Sequence, residues 1–281
     1  MKSRKNAKKI CYKIFQWVIT LIVAFIILLP LYWIFISSIT PANELFSTPV
    51  DYFPDHPTLE NYFRLFFQLN IGPKAINTLI IIAISLFIST LVCTTGGYAF
   101  ARYHSRGLNI SFSILLASSL IPGIVTARPL YDFFKTLNLI DTYPGLIILY
   151  TSSLLPFTVM IIRNFVGALP VSIEEAAEVD GANFWKKFFF VILPLLRPAI
   201  ATVCIINFIL CLNDLLIPLF YSLHIEVLSV AITTIPREST YSMPWDMIST
   251  TGWFIVFPII LFVLIFEKNI MEGIMAGGVK Q

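Results

Sequence analysis

Six stretches of the chain run without Asp, Glu, Lys or Arg: residues 14–43, 75–101, 107–127, 142–162, 198–213 and 247–266. A bilayer core about 30 Å thick needs roughly 20 apolar residues of helix. All but the fifth stretch meet that length directly. The fifth stops at Asp214 and resumes over Leu215–Ile225, which carries its span to about residue 222. The other uncharged stretches are too short to cross. The pattern predicts an all-α membrane protein with six transmembrane helices, at about 14–40, 75–101, 107–127, 142–162, 198–222 and 247–266. Trp17 and Trp33 stand near opposite ends of the first run, where interfacial anchors are wanted.

Composition agrees. Hydrophobic residues make up 57% of the 281 and charged residues 12%, about half the share in a soluble domain. So few charges leave no aqueous surface for a soluble protein of this length. The charges are also unevenly placed. The tail before the first run carries Lys2, Arg4, Lys5, Lys8, Lys9 and Lys13 and no acid. Positive charge stays on the cytoplasmic side, so both termini are expected in the cytoplasm. On that topology 14 of the 19 basic residues fall inside, and Arg64, Lys74, Arg128, Lys135 and Arg237 outside. The first run is longer than a signal-peptide core, contains Pro30 and precedes no A-x-A-like site, so it reads as a retained span. Residues 1–281 read as a single transmembrane domain. Cys11, Cys93, Cys204 and Cys211 suggest no disulfide framework, His56, His104 and His224 are scattered with no metal-ligand spacing, and a net charge of +3 gives no reason to expect nucleic acid.

The inside loop, 163–197, is the most informative segment. Ser172 and Glu175 have the S-x-x-E spacing of a capping box. Ile173, Ala176 and Ala177 recur at helical spacing as a small apolar face, and Glu174, Glu175 and Glu178 supply an acidic rim. Asp180-Gly181 follows, with Gly181 where a left-handed C′ residue is wanted. Asn183 can cap a second helical piece, Phe184 to Ile192, broken by Pro194 and Pro198.

The whole string, Glu175-Ala176-Ala177, three residues, Gly181, nine residues, then Val191-Ile-Leu193-Pro194, resembles the EAA motif of binding-protein-dependent ABC importer permeases. Val191 departs, standing where Ile is usual. Pro57-Thr-Leu-Glu-Asn-Tyr62, Gly97-Tyr-Ala-Phe-Ala-Arg102, Asn213-Asp-Leu-Leu-Ile-Pro218 and the ending Glu272-Gly-Ile-Met-Ala-Gly-Gly-Val-Lys280 are similar to the maltose-type carbohydrate branch. Leu212 departs where Trp is common before the Asn. The resemblance implies the type I ABC importer permease architecture and a heterodimer with a second permease. It also implies two ATPase subunits that carry ATP and Mg, an external substrate-binding protein, and no cofactor on this chain. Glu174, Glu175, Ala176, Ala177, Asp180 and Gly181 would then form the coupling helix that docks on an ATPase. The absence of a G-x-x-x-x-G-K-[ST] phosphate loop agrees that the ATPase is a separate chain.

Polar groups within spans are expensive and by default face a cavity or a partner. Asn213 and Asp214 either line a substrate path or, in the case of Asp214, pair with a neighbouring helix or cap a break before Pro218. Tyr150 and Phe157 are further path candidates; Phe208, Phe220 and Tyr221 can stack on a sugar or simply pack. Ser85, Ser89, Thr90, Thr94, Gly96 and Gly97 form a small-residue series suited to close helix packing. An ABC permease for glycerol phosphodiesters or peptide-like cargo is the alternative, although an anionic cargo should bring basic residues into the spans. A membrane enzyme would want clustered His, Asp or Glu, which the chain lacks, and a channel would need no EAA loop.

Overall fold

The computed structural model describes the backbone of residues 2–46, 52–236 and 243–278, and side chains from residue 12 to residue 268 within those ranges. The side chains of Cys11, of the N-terminal cations before Lys13 and of the ending motif are not described, and Arg237 lies outside the described residues. The described chain is helical and divides into two compact units, residues 1–70 with 232–257, and 71–231 with 258–281.

The first unit holds α1 (Lys2–Ile39), α2 (Glu60–Phe67) and the start of the last helix. Among its described side chains, Tyr12 to Leu29 of α1 are mostly apolar and largely exposed, whereas Phe35 packs on Trp253 and Ile36, Ser37 and Ser38 are buried, with Thr40 just beyond the helix. There Asn61 Nδ2 donates to the carbonyls of Ser38 (3.2 Å) and Thr40 (3.0 Å), which the end of a helix leaves free. Tyr62 meets Ser38 at 2.8 Å, and Arg64 pairs with Asp246 at 2.9 Å. The Asn61 and Tyr62 of the Pro57–Tyr62 string therefore tie α2 to α1.

The second unit is built on α3 (Ile71–Arg102). It continues through α4 (Arg106–Ser118), α5 (Gly123–Thr136), α6 (Tyr143–Ala168), α7 (Val171–Val179) and α8 (Phe184–Lys187). A π-helical turn at Phe188–Ile192 and α9 (Leu193–Leu195) lead into α10 (Arg197–Asn213), α11 (Leu216–Tyr221) and α12 (Leu228–Ala231). The final helix, α13 (Trp245–Gly278), runs through both units. Helices α3 and α6 lie closely together along their length. Ser85 donates to Ile147 O of α6 at 3.3 Å, and a Cβ on Gly97 would stand 2.7 Å from Ile162 Cγ2. Small side chains are what allow this approach.

Among the described residues, four helices are long and apolar enough to cross a membrane unaided, and two bent pairs bring the number up to six. The expected span 107–127 is not one straight helix. It ends at Ser118, and α5 leaves at 103° to α4. The turn contains Pro122, which cannot donate to a helical ladder, followed by Gly123. A test for missing charge does not detect such a bend. Likewise α10 meets the helical stretch Phe184–Leu195 at 65°, and the expected span to residue 222 breaks at Asp214. Beyond α5, Asp141, at φ +56°, accepts the N–H groups of Leu223 (2.9 Å), His224 (2.8 Å) and Ile225 (3.1 Å). Burial opposes its charge, yet the backbone and ring of His224 and these N–H groups hold the carboxyl well below the usual carboxylate range.

Candidate functional site

The loop after α6 forms the short helix α7, but not through the expected capping box. The helix begins at Val171 behind Pro170, so Ser172 lies inside the first turn and makes no cap. Pro170, with φ fixed near the helical value, starts the helix two residues early. The other end matches the spacing. Gly181 has φ +82°; its N–H donates to Glu178 O at 3.0 Å and the N–H of Ala182 to Ala177 O at 2.9 Å. These two bonds are the Schellman closure of a helix, with the glycine in the left-handed position. Asn183 Oδ1 then accepts the N–H of Lys186 at 2.9 Å and starts α8.

Within α7, Ile173, Glu175, Ala176, Glu178, Val179 and Asp180 face outward and Ala177 is half-buried. Val179 is 88% exposed. Glu174 does not join this rim. It is buried, accepting from Tyr98 Oη at 2.6 Å and from Arg102 Nε at 2.5 Å. Its helical phase points it at the end of α3, where a cation and a phenol wait. Burial alone would raise its pKa; the Tyr98 and Arg102 hydrogen bonds and the positive charges of Arg102 and Lys187 outweigh that and lower it.

A cavity of about 600 Å³ lies among α4, α5, α6, α10 and α11. The α4–α5 bend opens on it through Ser118, Ser119 and Gly123, and the break at Asp214 through Asp214 and Leu216. Tyr150 and Asp214 both line it. Asp214 also accepts the N–H groups of Leu216 (3.3 Å) and Ile217 (3.2 Å), which makes it the cap of the break before Pro218. Phe220 and Tyr221 contribute to the wall. Phe157 and Asn213 do not line it; Asn213 turns its amide onto its own helix, to Ile209 O at 2.9 Å. The hydroxyls of Ser118, Ser119, Thr126, Ser152 and Ser153 also line the cavity, and single residues in the sequence did not flag them. The bend-forming run Ser118-Ser119-Leu-Ile-Pro122-Gly123 was the available signal. Each of these hydroxyls donates to a carbonyl of its own helix, within 2.7–3.0 Å. Their lone pairs remain to accept from a polyhydroxylated guest.

The family model described as the binding-protein-dependent transport system inner membrane component matches residues 93–270, a stretch that contains α7 and both helix breaks. The chain belongs to this family. The family places it as a multi-pass component of the cytoplasmic membrane and as a transport subunit, not an enzyme. It is 30% identical to the diacetylchitobiose uptake system permease protein NgcG of Streptomyces coelicolor, over 90% of this chain and 84% of that protein. It is 32% identical to the trehalose transport system permease protein SugB of Mycobacterium tuberculosis, over 93% and 95%. Among solved structures, a chain of a bacterial ABC transporter involved in the import of the acidic polysaccharide alginate shares the fold. The TM-score is 0.79 at 21% identity, covering 92% of this chain and 95% of that one. A second structure, of a bacterial alginate ABC transporter in complex with an alginate pentasaccharide-bound periplasmic protein, gives 0.65 at 15%, over 90% and 92%.

Proposed function

We propose that the chain is a permease subunit through which a sugar or oligosaccharide, delivered by an external binding protein, crosses the membrane. Residues 1–281 act as one transmembrane domain with both termini in the cytoplasm, paired with a second permease. Two ATPase subunits, carrying ATP and Mg, complete the complex, and one of them docks on the outward face of α7. The observation that carries this reading is the likeness, over nine-tenths of the chain, to permeases whose names state a saccharide cargo. The cavity supports it: acceptor hydroxyls beside Tyr150 and Asp214 suit the donor-rich surface of a sugar, and Phe220 offers a ring edge.

Docking on α7 follows from its shape. Ala176 and Ala177 let a groove approach the helix backbone closely, and Glu175 stands free for a basic residue of the partner, a bond of about 1.5–3 kcal/mol. The test is the complex reconstituted with its ATPase subunits and binding protein. Ala177→Trp blocks the approach, and Gly181→Val opposes the positive φ. Both variants should keep the permease pair formed, while binding-protein-stimulated ATP hydrolysis and sugar uptake fall at least tenfold. Near-normal stimulation and uptake in both would mean that α7 is not the docking surface.

A further inference from the structure

The string Gly97-Tyr98-Ala-Phe-Ala-Arg102 closes α3, and the transport reading leaves it without a task. Its two polar side chains converge on Glu174 of α7, 76 and 72 residues away in the chain. Tyr98 takes one carboxylate oxygen and Arg102 the other. The remaining fork of Arg102 reaches the carbonyl of Leu169, at the turn between α6 and α7, at 2.9 Å. One guanidinium therefore holds both α7 and the turn that leads into it. Lys187 stands 3.6 Å from Glu174 and 2.5 Å from Glu178, so two cations meet two carboxylates. Tyr98 is buried, its ring edge-on to Phe188 at 5.5 Å and Phe184 at 6.1 Å.

The covalent joints of α7 are bends. Pro170 opens it and the left-handed Gly181 closes it, so neither end continues as helix into its neighbour. A push on α7 is not carried along a helix axis at either joint. Charge-assisted bonds in a buried setting are short and strong, so α7 is held through Glu174 to α3 and through Lys187 to α8, and of these two α3 is the long helix. Helix α3 then leads away from it as one continuous element. Farther along, its Ile81 and Ile82 pack in the same cluster as Tyr150, Cys211 and Tyr221, which line the cavity.

We propose that Tyr98, Arg102 and Glu174 are positioning residues that clamp α7 to α3, so that a displacement of α7 by the ATPase reaches the cavity wall through α3. The clamp rests on the reading of α7 as the docking helix. It also gives Glu174 a separate task, facing this chain while Glu175 faces the partner.

The test uses the reconstituted complex with Tyr98→Phe, Arg102→Met, Glu174→Gln and the Arg102→Met/Glu174→Gln double variant. Assembly with the ATPase subunits and basal hydrolysis should stay within about twofold of the wild type for Tyr98→Phe and Arg102→Met. Stimulation by the loaded binding protein, and sugar moved per ATP hydrolysed, should fall about tenfold. The double variant should be no worse than Arg102→Met alone, because both act on one contact. Tyr98→Phe removes a single hydroxyl and decides the matter should Arg102→Met fail to assemble. Ala177→Trp, by contrast, loses the ATPase subunits themselves. A wild-type complex that the binding protein does not stimulate would overturn the permease reading and the clamp with it. A stimulated wild type, with clamp variants that respond equally or lose uptake only in step with assembly, would overturn the clamp alone.

Discussion

Asp214 serves two neighbours. It caps α11 through the N–H groups of Leu216 and Ile217, and it presents its edge to the cavity beside Tyr150. A capping acceptor is worth about 0.5–2 kcal/mol. Asparagine can supply such an acceptor but not a charge, and leucine supplies neither. Asp214→Asn is therefore expected to assemble like the wild type and to transport at least fivefold less sugar. Asp214→Leu should lower both quantities, with uptake falling further than assembly. Proteoliposome uptake normalised to the amount of assembled complex measures the difference. Losses in equal proportion would make the residue a cap and nothing more.

At the scale of elements, the contact of α3 with α6 depends on Gly97. An added Cβ would press on Ile162 Cγ2 at 2.7 Å and approach the backbone nitrogen of Arg163 at 3.1 Å. Overpacking of this kind costs about 1–3 kcal/mol. Gly97→Val should lower the unfolding temperature of the purified permease pair in detergent, and Ile162→Ala in the same chain should restore part of the loss. An unchanged transition would show that the helices separate freely there. Gly97 was legible in the sequence as part of a small-residue series, and Gly181 and Asn183 were legible because their bonds close within five residues. Glu174 was not. Whether it joins the rim or turns inward depends on Tyr98 and Arg102, and no local spacing carries that information. The bend at 119–122 escaped for another reason. A run free of charge looks the same whether it is straight or folded back, and Pro122 with Gly123 was the only mark of the difference. Asp214 was legible as a residue with two candidate tasks; it caps α11 and lines the cavity, and the path role rests on the proposed function.

For the whole molecule, the charge asymmetry predicts the orientation. Single cysteines placed at Asp55 and Ala182 in a chain without its own cysteines are expected to label from opposite sides of the membrane. Asp55, exposed before α2, should react with an impermeant reagent added outside, and Ala182, at the end of α7, only after the membrane is opened. External labelling of Ala182 would reverse the topology and remove α7 from the reach of a cytoplasmic ATPase.

The two helix breaks share one cavity, and this has an electrical consequence. Backbone groups freed from a helix are costly in hydrocarbon and persist where they are buried in protein or meet water. A cavity with both breaks and a row of hydroxyls on its wall is therefore wet. Water carries the potential of its own side inward, so the membrane voltage does not fall evenly along the chain. It falls where side chains pack and water is excluded. A solute leaving the cavity crosses the part of the voltage that falls there. A charged one gains or loses about 2.3 kcal/mol per elementary charge for each 100 mV, whereas an uncharged one does no electrical work at all.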